Sequence, residues 1–486
     1  MKTANVNSSK VLPSWAFEFK NIGCLKSGSL IVKPITILCG KNNTGKTWVM
    51  YSIYGFLNTS QPNVRLPKTA EITKELKVQG TYELKLDDWI EENYLSIKKD
   101  FDKDSQKMLE EVFNTNDTTI FSKSQFSWVV EKESLIRHVK SKSMHFTLTL
   151  GTSKKEIINI EKDSDESVLK LTLLDVEFPQ VERFINHTLV QLLQLEHDRS
   201  PAFLIPAERN GLHLFFNELS SRRTALLHHA SKESFDLNSL LKDVLKSKYS
   251  APIANYIDWL NELKTKRKEK SADFHSAAEE IKKIISGKYT VDNEGQIYFS
   301  TYKKGKEESK KLELHLSSST VKSLFGLWFY LEHQAEVGDI LMIDEPELNL
   351  HPANQRIIAR FLAKLSNSGL RIIVSTHSDY FLKEINSLIM LSSAKNTIKR
   401  DAVMKKQGID AGALVDENNV AAYLFEQNTI AEMEKSIEGI NALTFDRVID
   451  SINEDNDEIY FSLINSPDDE APTSDDVKTS LVEKNN

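Results

Sequence analysis

The sequence predicts an α/β fold: a mixed or parallel sheet carrying a phosphate-binding loop, interrupted by an inserted α+β region and a helical arm. Three observations predict it. The apolar run Ile35–Leu38 feeds the glycine-containing segment "GKNNTGKT", Gly40 to Thr47. A second run, Ile340–Ile343, ends in two adjacent acids, Asp344 and Glu345. A third, Ile372–Val374, ends in Ser375, Thr376 and His377. Short continuous apolar runs bounded by turn residues read as strands buried on both faces, the pattern of a parallel sheet.

The first element has the spacing Gly40-x4-Gly45-Lys46-Thr47. Gly40 and Gly45 let the backbone of Lys41, Asn42, Asn43 and Thr44 curl so that its N–H groups face phosphate. Lys46 then reaches the β and γ phosphates of ATP, and the Thr47 hydroxyl binds Mg²⁺. A helix beginning near Gly45 adds its positive end. In the second element Asp344 supplies the magnesium carboxylate. Glu345, one residue on, is expected to point elsewhere because strand side chains alternate, and to polarise a water in line with the γ-phosphate. In the third, His377 at a strand end donates to a γ-phosphate oxygen and senses its presence. A fourth, "LHLSSSTVKSLFGLWFYL" (Leu314–Leu331), opens on Ser317, Ser318, Ser319 and Thr320. Leu324, Leu327, Trp328 and Leu331 follow at helical spacing. Such a serine-capped helix start accepts an anion and is expected to clamp the γ-phosphate of a neighbouring subunit's nucleotide.

Composition sets the bounds. The chain has 486 residues, 40% hydrophobic and 27% charged, enough for a sizeable core. Its formal net charge of −8 does not suggest a general polyanion binder, although local basic runs could touch nucleic acid. Cys24 and Cys39 form neither a disulfide framework nor a zinc spacing, which fits a reducing, cytoplasmic setting. No apolar run approaches the roughly 18–20 residues of a membrane span, so no membrane partner is expected.

Lys46 and Asp344 are 344 − 46 = 298 positions apart, so material is inserted between them. We read residues 1–81 as the first part of an ATPase head and 82–197 as an inserted α+β region. The latter holds a charged helix, Asp87 to Phe113, and strands such as "MHFTLTLG" and "VLKLTLL". Residues 198–216 return to the head and 217–287 form a helical arm. In that arm Phe274, Ala277, Ala278, Ile281, Ile284 and Ile285 keep a 3.6 period, and "KTKRKEK" (Lys264–Lys270) makes a solvated tip. Residues 288–399 complete the head, beginning with a hairpin that turns at Asn293-Glu294-Gly295. Residues 400–465 read as helical and 466–486 as a disordered acidic tail.

The order of P-loop, large insertion, serine-rich helix start, "IDEPELNLHP" and "STHS" resembles the ABC-type ATPases of the SMC, Rad50 and RecF clade. The resemblance is strongest to the OLD-like ATPases. Within that group the chain is similar to the ATPase subunits of bacterial anti-phage systems such as PARIS and Septu. The resemblance implies an ABC-type P-loop head that assembles head to head, as a dimer or larger homo-oligomer. It makes Asp344 the Walker B ligand, Glu345 the catalytic base and His377 the switch histidine. Asn349 falls in the loop that crosses to the partner subunit, and "IPAERN" places Glu208 and Arg209 near the nucleotide. One departure stands out: where the ABC signature has Leu-Ser-Gly-Gly, this chain has Leu316-Ser317-Ser318-Ser319-Thr320, so side chains replace the glycines and slow turnover is expected. OLD nucleases carry a Toprim domain after the ATPase, and no counterpart or HNH cluster is evident here. The resemblance therefore implies a separate effector protein, a Toprim or HNH nuclease, with a phage protein as trigger. A DNA-binding clamp like RecF, or an ATP-dependent scaffold with negligible turnover, are the alternative readings.

Overall fold

The computed structural model describes residues 15–58, 64–115, 117–150, 155–175, 177–193, 202–230, 249–303, 306–307, 311–441 and 443–464. The acidic tail expected at 466–486 lies outside them. The central sheet takes its strands from distant parts of the chain. In chain order the strands of the molecule, central and peripheral, open with β1 (Trp15–Ile22), β2 (Leu25–Val32) and β3 (Ile35–Gly40). The inserted region follows with β4 (Thr81–Lys85), β5 (Gln125–Val129), β6 (Met144–Leu150), β7 (Lys155–Lys162) and β8 (Val168–Leu173). Further strands are β9 (Phe203–Ile205), β10 (Gly287–Val291), β11 (Ile297–Lys303), β12 (Lys306–Glu307), β13 (Leu312–Glu313), β14 (Ile340–Asp344), β15 (Arg371–Thr376), β16 (Val420–Glu426) and β17 (Thr429–Glu432).

Nine strands form one sheet in the order β5-β1-β2-β17-β16-β3-β15-β14-β9. From β16 to β9 every pairing is parallel, and the far side closes with the antiparallel strands β2, β1 and β5. The α/β class with a mixed sheet is thus as expected. Strands β3, β14 and β15 are buried at every residue, because helices cover both faces of the parallel half. β1 behaves differently. Its alternation buries Trp15, Phe17 and Phe19 on one face and leaves Glu18 and Lys20 exposed. Those three rings meet Phe126 and Trp128 of β5, with Trp15 stacked on Trp128 at 4.8 Å. Among the smaller sheets are β4-β8-β7-β6 and β10-β11-β12 with β13 beside β11. The turn at Asn293–Gly295 joins β10 to β11 as the sequence predicts, Gly295 supplying the positive φ of 89°.

The described helices of ten residues or more are α1 (Lys46–Asn58), α2 (Thr69–Gln79), α3 (Leu86–Phe113), α4 (Lys132–Ser141), α5 (Val181–Leu193), α6 (Arg209–Ala230) and α7 (Ala251–Asn261). After them come α8 (His275–Ile284), α9 (Ser319–His333), α10 (Pro352–Asn367), α11 (Asp379–Ser392), α12 (Thr397–Gln407) and α13 (Leu443–Ile459). α3 is the charged helix anticipated at 87–113. Its apolar face, with Trp89, Ile90, Ile97, Phe101, Leu109 and Val112, is buried against α1 and β5. The described part of the arm packs on the head: α7 lies against α1, α6 and β9, and Phe203 stacks on Tyr330 at 4.3 Å.

Two expectations need correction. The region 400–465 is not uniformly helical. Beyond α12 it forms the hairpin β16–β17, and β16 pairs in parallel with the P-loop strand β3. "VAAYLF" is buried on both faces, so it lacks the alternation that distinguishes a strand from a helix segment. Gln427 and Asn428 both take positive φ, 50° and 63°, which closes the two-residue hairpin. Residues 82–197, in turn, are not a wholly separate insertion, since β5 forms the edge of the central sheet. The chain divides into two compact units at Gly439 and Ile440, and α13 lies in the second.

His213 of α6 gives a pH prediction. It is 3% exposed; Nδ1 lies 2.8 Å from the Lys322 carbonyl and Nε2 lies 2.7 Å from the Tyr256 hydroxyl. A carbonyl only accepts, so Nδ1 carries a proton; burial keeps the ring neutral, and Nε2 then accepts from the Tyr256 hydroxyl. Gly326 allows this packing, as a Cβ there would sit 2.0 Å from the Tyr256 oxygen. Burial pushes the His213 pKa down to about 3. An unfolded histidine takes a proton near pH 6.5, so between that value and about 3 the unfolded chain binds the extra proton. Stability therefore falls as pH drops below about 6.5, by at most about 1.4 kcal/mol per pH unit from this residue. Urea midpoints at pH 7.5 and 5.5 should differ in the wild type and differ less in His213→Gln.

Candidate functional site

Parallel strands end at a common edge, and here that edge gathers the sequence motifs. β15 lies between β3 and β14, with Asp344 in register with Ser375 and Thr376 in register with Cys39. The Gly40–Thr47 loop, the Asp344-Glu345 pair and His377 therefore emerge side by side, although 298 positions separate Lys46 from Asp344. Ligand sites of open α/β sheets form at this carboxyl edge.

The loop has the curl its glycines allow. Gly40 has φ 146° and a Cβ there would lie 2.5 Å from the Phe425 carbonyl, so β16 enforces the glycine. Gly45 (φ 103°) and Asn43 (φ 60°) are also left-handed. Lys41, Asn42 and Asn43 are exposed, and Thr44 donates 2.8 Å to the Lys41 carbonyl. Lys46 begins α1 and is buried. Its Nζ donates to the carbonyls of Gly40 and Lys41 at 3.0 and 2.8 Å. Burial pulls its pKa below the usual lysine value, and the charges of Asp344 and Glu345 oppose that pull.

Thr47 Oγ1 donates to Asp344 Oδ2 at 3.3 Å. Ser375 Oγ donates to the other Asp344 oxygen. Burial raises the Asp344 pKa, with the Ser375 bond acting against it. A hydroxyl and a carboxylate this close form a hard-oxygen pair suited to Mg²⁺, with room left for phosphate and water ligands. Thr47 and Asp344 are thus the residues that could hold the ion.

Glu345 reaches its position by a different route from the alternation expected. β14 ends at Asp344, and Glu345 is left-handed with φ 51°. Its N–H donates to the Ser375 carbonyl at 3.1 Å and to Ser375 Oγ at 3.2 Å. Its carboxylate lies 3.4 Å from His377 Nε2, and that bond holds its pKa below the usual glutamate value. The two residues read separately from the sequence are in contact. A half-exposed, ionised carboxylate here can accept a proton from water.

Arg209 explains how the turn is held. The sequence placed it near the nucleotide with Glu208, but did not foresee its work. Glu208 is exposed, whereas Arg209 is 2% exposed and spends all its described bonds on the backbone and Ser323. It donates to the carbonyls of Asp344 (2.8 Å), Glu345 (2.7 Å), Pro206 (3.2 Å) and Ser323 (3.2 Å), and to Ser323 Oγ at 3.0 Å. Glu347 was also missed. One of its oxygens accepts from Thr376 Oγ1 at 2.8 Å and from the His377 N–H at 2.7 Å, fixing the histidine's backbone. Burial pushes its pKa up. Both residues lie in quoted motifs, yet nothing in their spacing says which backbone they meet.

The serines sit elsewhere. Ser318 caps α9, accepting from the Val321 N–H at 3.3 Å, and Ser317 donates to the Leu314 carbonyl at 2.6 Å. Ser318 and Ser319 are exposed, and no described bond joins them to the Lys46 loop. Thr320 Oγ1 donates to the Asn349 carbonyl at 3.1 Å, and Ser323 Oγ to that of Leu348 at 3.1 Å. Asn349, exposed and left-handed at φ 62°, therefore shares one surface with the serines.

The chain is similar in part to known proteins. The Old nuclease of Escherichia phage P2 is 36% identical over 70 residues, 14% of this chain and 12% of that protein, so the chain spans a small part of its relative's length. Among solved structures, an SMC head bound to the C-winged helix domain of ScpA aligns at TM-score 0.33 and 11% identity, over 86% of this chain and 97% of that one. The SMC head domain from Thermotoga maritima aligns at 0.30 and 10%, over 87% and 98%. At those scores the fold rests on the sheet order itself. Among the described residues no helix is long and apolar enough to cross a membrane. Residues 16–382 match the AAA ATPase domain family, and because that match takes in most of the sequence, the chain belongs to it.

Proposed function

We propose that this chain binds and hydrolyses ATP as the sensor subunit of a bacterial anti-phage assembly. It would hold a separate effector nuclease, of Toprim or HNH type, until a phage protein triggers release or activation. The observation that carries the ATPase reading is the meeting of Lys46, Thr47, Asp344, Glu345 and His377 at one sheet edge. The local similarity to the Old nuclease of phage P2 supports the OLD-like part of this reading.

In this reading the Gly40–Thr47 backbone and Lys46 bind the triphosphate, and Thr47 with Asp344 would hold Mg²⁺, which would supply positive charge to the phosphates. Glu345 takes a proton from water as the water oxygen bonds to the γ-phosphorus and the bond to the bridging oxygen breaks, giving ADP and phosphate. His377, backed by Glu347, donates to the γ-phosphate. Ser317, Ser318, Ser319 and Asn349 form the face offered to a second head, so that ATP closes a head-to-head dimer and hydrolysis opens it. With hydroxyls in place of signature glycines we expect slow turnover.

Lys46→Ala should abolish hydrolysis and weaken ATP binding by at least about tenfold with little change in melting temperature. Wild-type turnover in that variant would sink the site assignment. Duplex DNA should leave the rate unchanged; strong, salt-sensitive stimulation would favour a DNA clamp instead. Copurification of an untagged nuclease tests the effector role.

A further inference from the structure

Away from the nucleotide edge, α8 and the last turn of α9 bring together a histidine and two carboxylates. His275 and Glu279 stand four residues apart on one face of α8. Glu332 of α9 faces them, and the candidate ligand atoms of all three lie within 4.8 Å of one another. Glu332 is 6% exposed, an unusual place for a carboxylate. Its Oε2 lies 2.9 Å from His275 Nδ1, yet neither atom makes a hydrogen bond. The two atoms are close without the ring N–H pointing at the oxygen. Metal–ligand bonds of about 2.0–2.2 Å set neighbouring ligand atoms roughly 3 Å apart with their lone pairs converging on a third point.

We propose that His275, Glu279 and Glu332 form a binding site for a divalent transition metal of the zinc class. One imidazole and two carboxylates suit such ions better than Mg²⁺, which takes oxygen ligands. Lys270 is one competing cation: its Nζ lies 3.5 Å from Glu332 Oε1 and 3.3 Å from His275 Nε2. Its side chain is 61% exposed and can swing into water when a metal arrives. Lys282 pairs with Glu279 Oε1 and is a second competing cation. The ion would pin the inserted helix α8 to the far end of α9, whose first turn carries Ser319, roughly 20 Å away along the helix axis. It would thus stiffen the helix that presents the serine face.

The test uses the full chain, stripped with chelator and free of nucleotide, titrated calorimetrically with zinc chloride. We expect binding of one zinc, unchanged in Asp344→Asn, which removes the carboxylate of the nucleotide edge. His275→Ala and Glu279→Ala should each weaken it by about tenfold or more, and Lys270→Ala should tighten it. Zinc should also raise the melting temperature of the wild type and not of His275→Ala. Both helix positions are at least partly exposed, so the variants should fold, as equal metal-free melting temperatures would verify. No heat up to about 100 µM zinc, or the same heat in His275→Ala, overturns the proposal.

Discussion

Glu345→Gln will bind ATP and turn it over at least about 100-fold more slowly than the wild type, because a positioned general base contributes about that much or more. Glutamine keeps the shape and the backbone bonds to Ser375 that fix the left-handed turn. It cannot take a proton from water. The neighbouring His377 keeps the wild-type carboxylate below the usual glutamate pKa, so the base is ionised across the neutral range. Single-turnover hydrolysis with a fluorescent nucleotide binding assay separates the two steps. Mass measurement in solution should then show the variant accumulating as a dimer with ATP, since the opening step is blocked. A variant that hydrolyses at the wild-type rate removes Glu345 from the reaction. A variant that is slow yet stays monomeric with ATP keeps the chemistry and removes the head-to-head assembly.

Arg209→Ala will be the most destabilising single change near the site. Its guanidinium is buried and donates five bonds, four of them to carbonyls. Removing it strands those oxygens in the interior at about 1–3 kcal/mol for a buried group left unpaired, giving a loss on the order of 3–5 kcal/mol after relaxation. Arg209→Lys should fall between, because an ammonium cannot span Ser323 and the two carbonyls of the β14 end together. Urea unfolding gives the stability loss. Turnover measured below the unfolding transition should also drop, as the Asp344 and Glu345 carbonyls lose the donor that sets the turn. A wild-type midpoint in Arg209→Ala would show that the network contributes nothing net.

Much of the site was legible because its chemistry is written in neighbouring residues. A strand followed by Gly40-x4-Gly45-Lys46-Thr47 needs no distant partner to be recognised, nor does an apolar run entering Asp344-Glu345. The same holds for α3, whose period is local, and for the Asn293–Gly295 turn, where one glycine supplies the backbone angle. Glu345 shows the limit of local reasoning. Strand alternation predicts its direction only if the strand continues, and the strand stops one residue earlier.

Sequence alone thus determined the loop, the acid pair, the histidine and the α/β class, since each depends on residues adjacent along the chain or on a single burial pattern. Tertiary structure decided that β16, read as helix, lies against the P-loop strand and forces Gly40 to be glycine. It also decided that Arg209 and Glu347 brace the turn, and that His275 and Glu279 face Glu332. The physical reason is the same in each case. A side chain's partner across tens or hundreds of positions is set by which strands and helices pack together, and packing responds to summed burial that no single stretch of sequence contains.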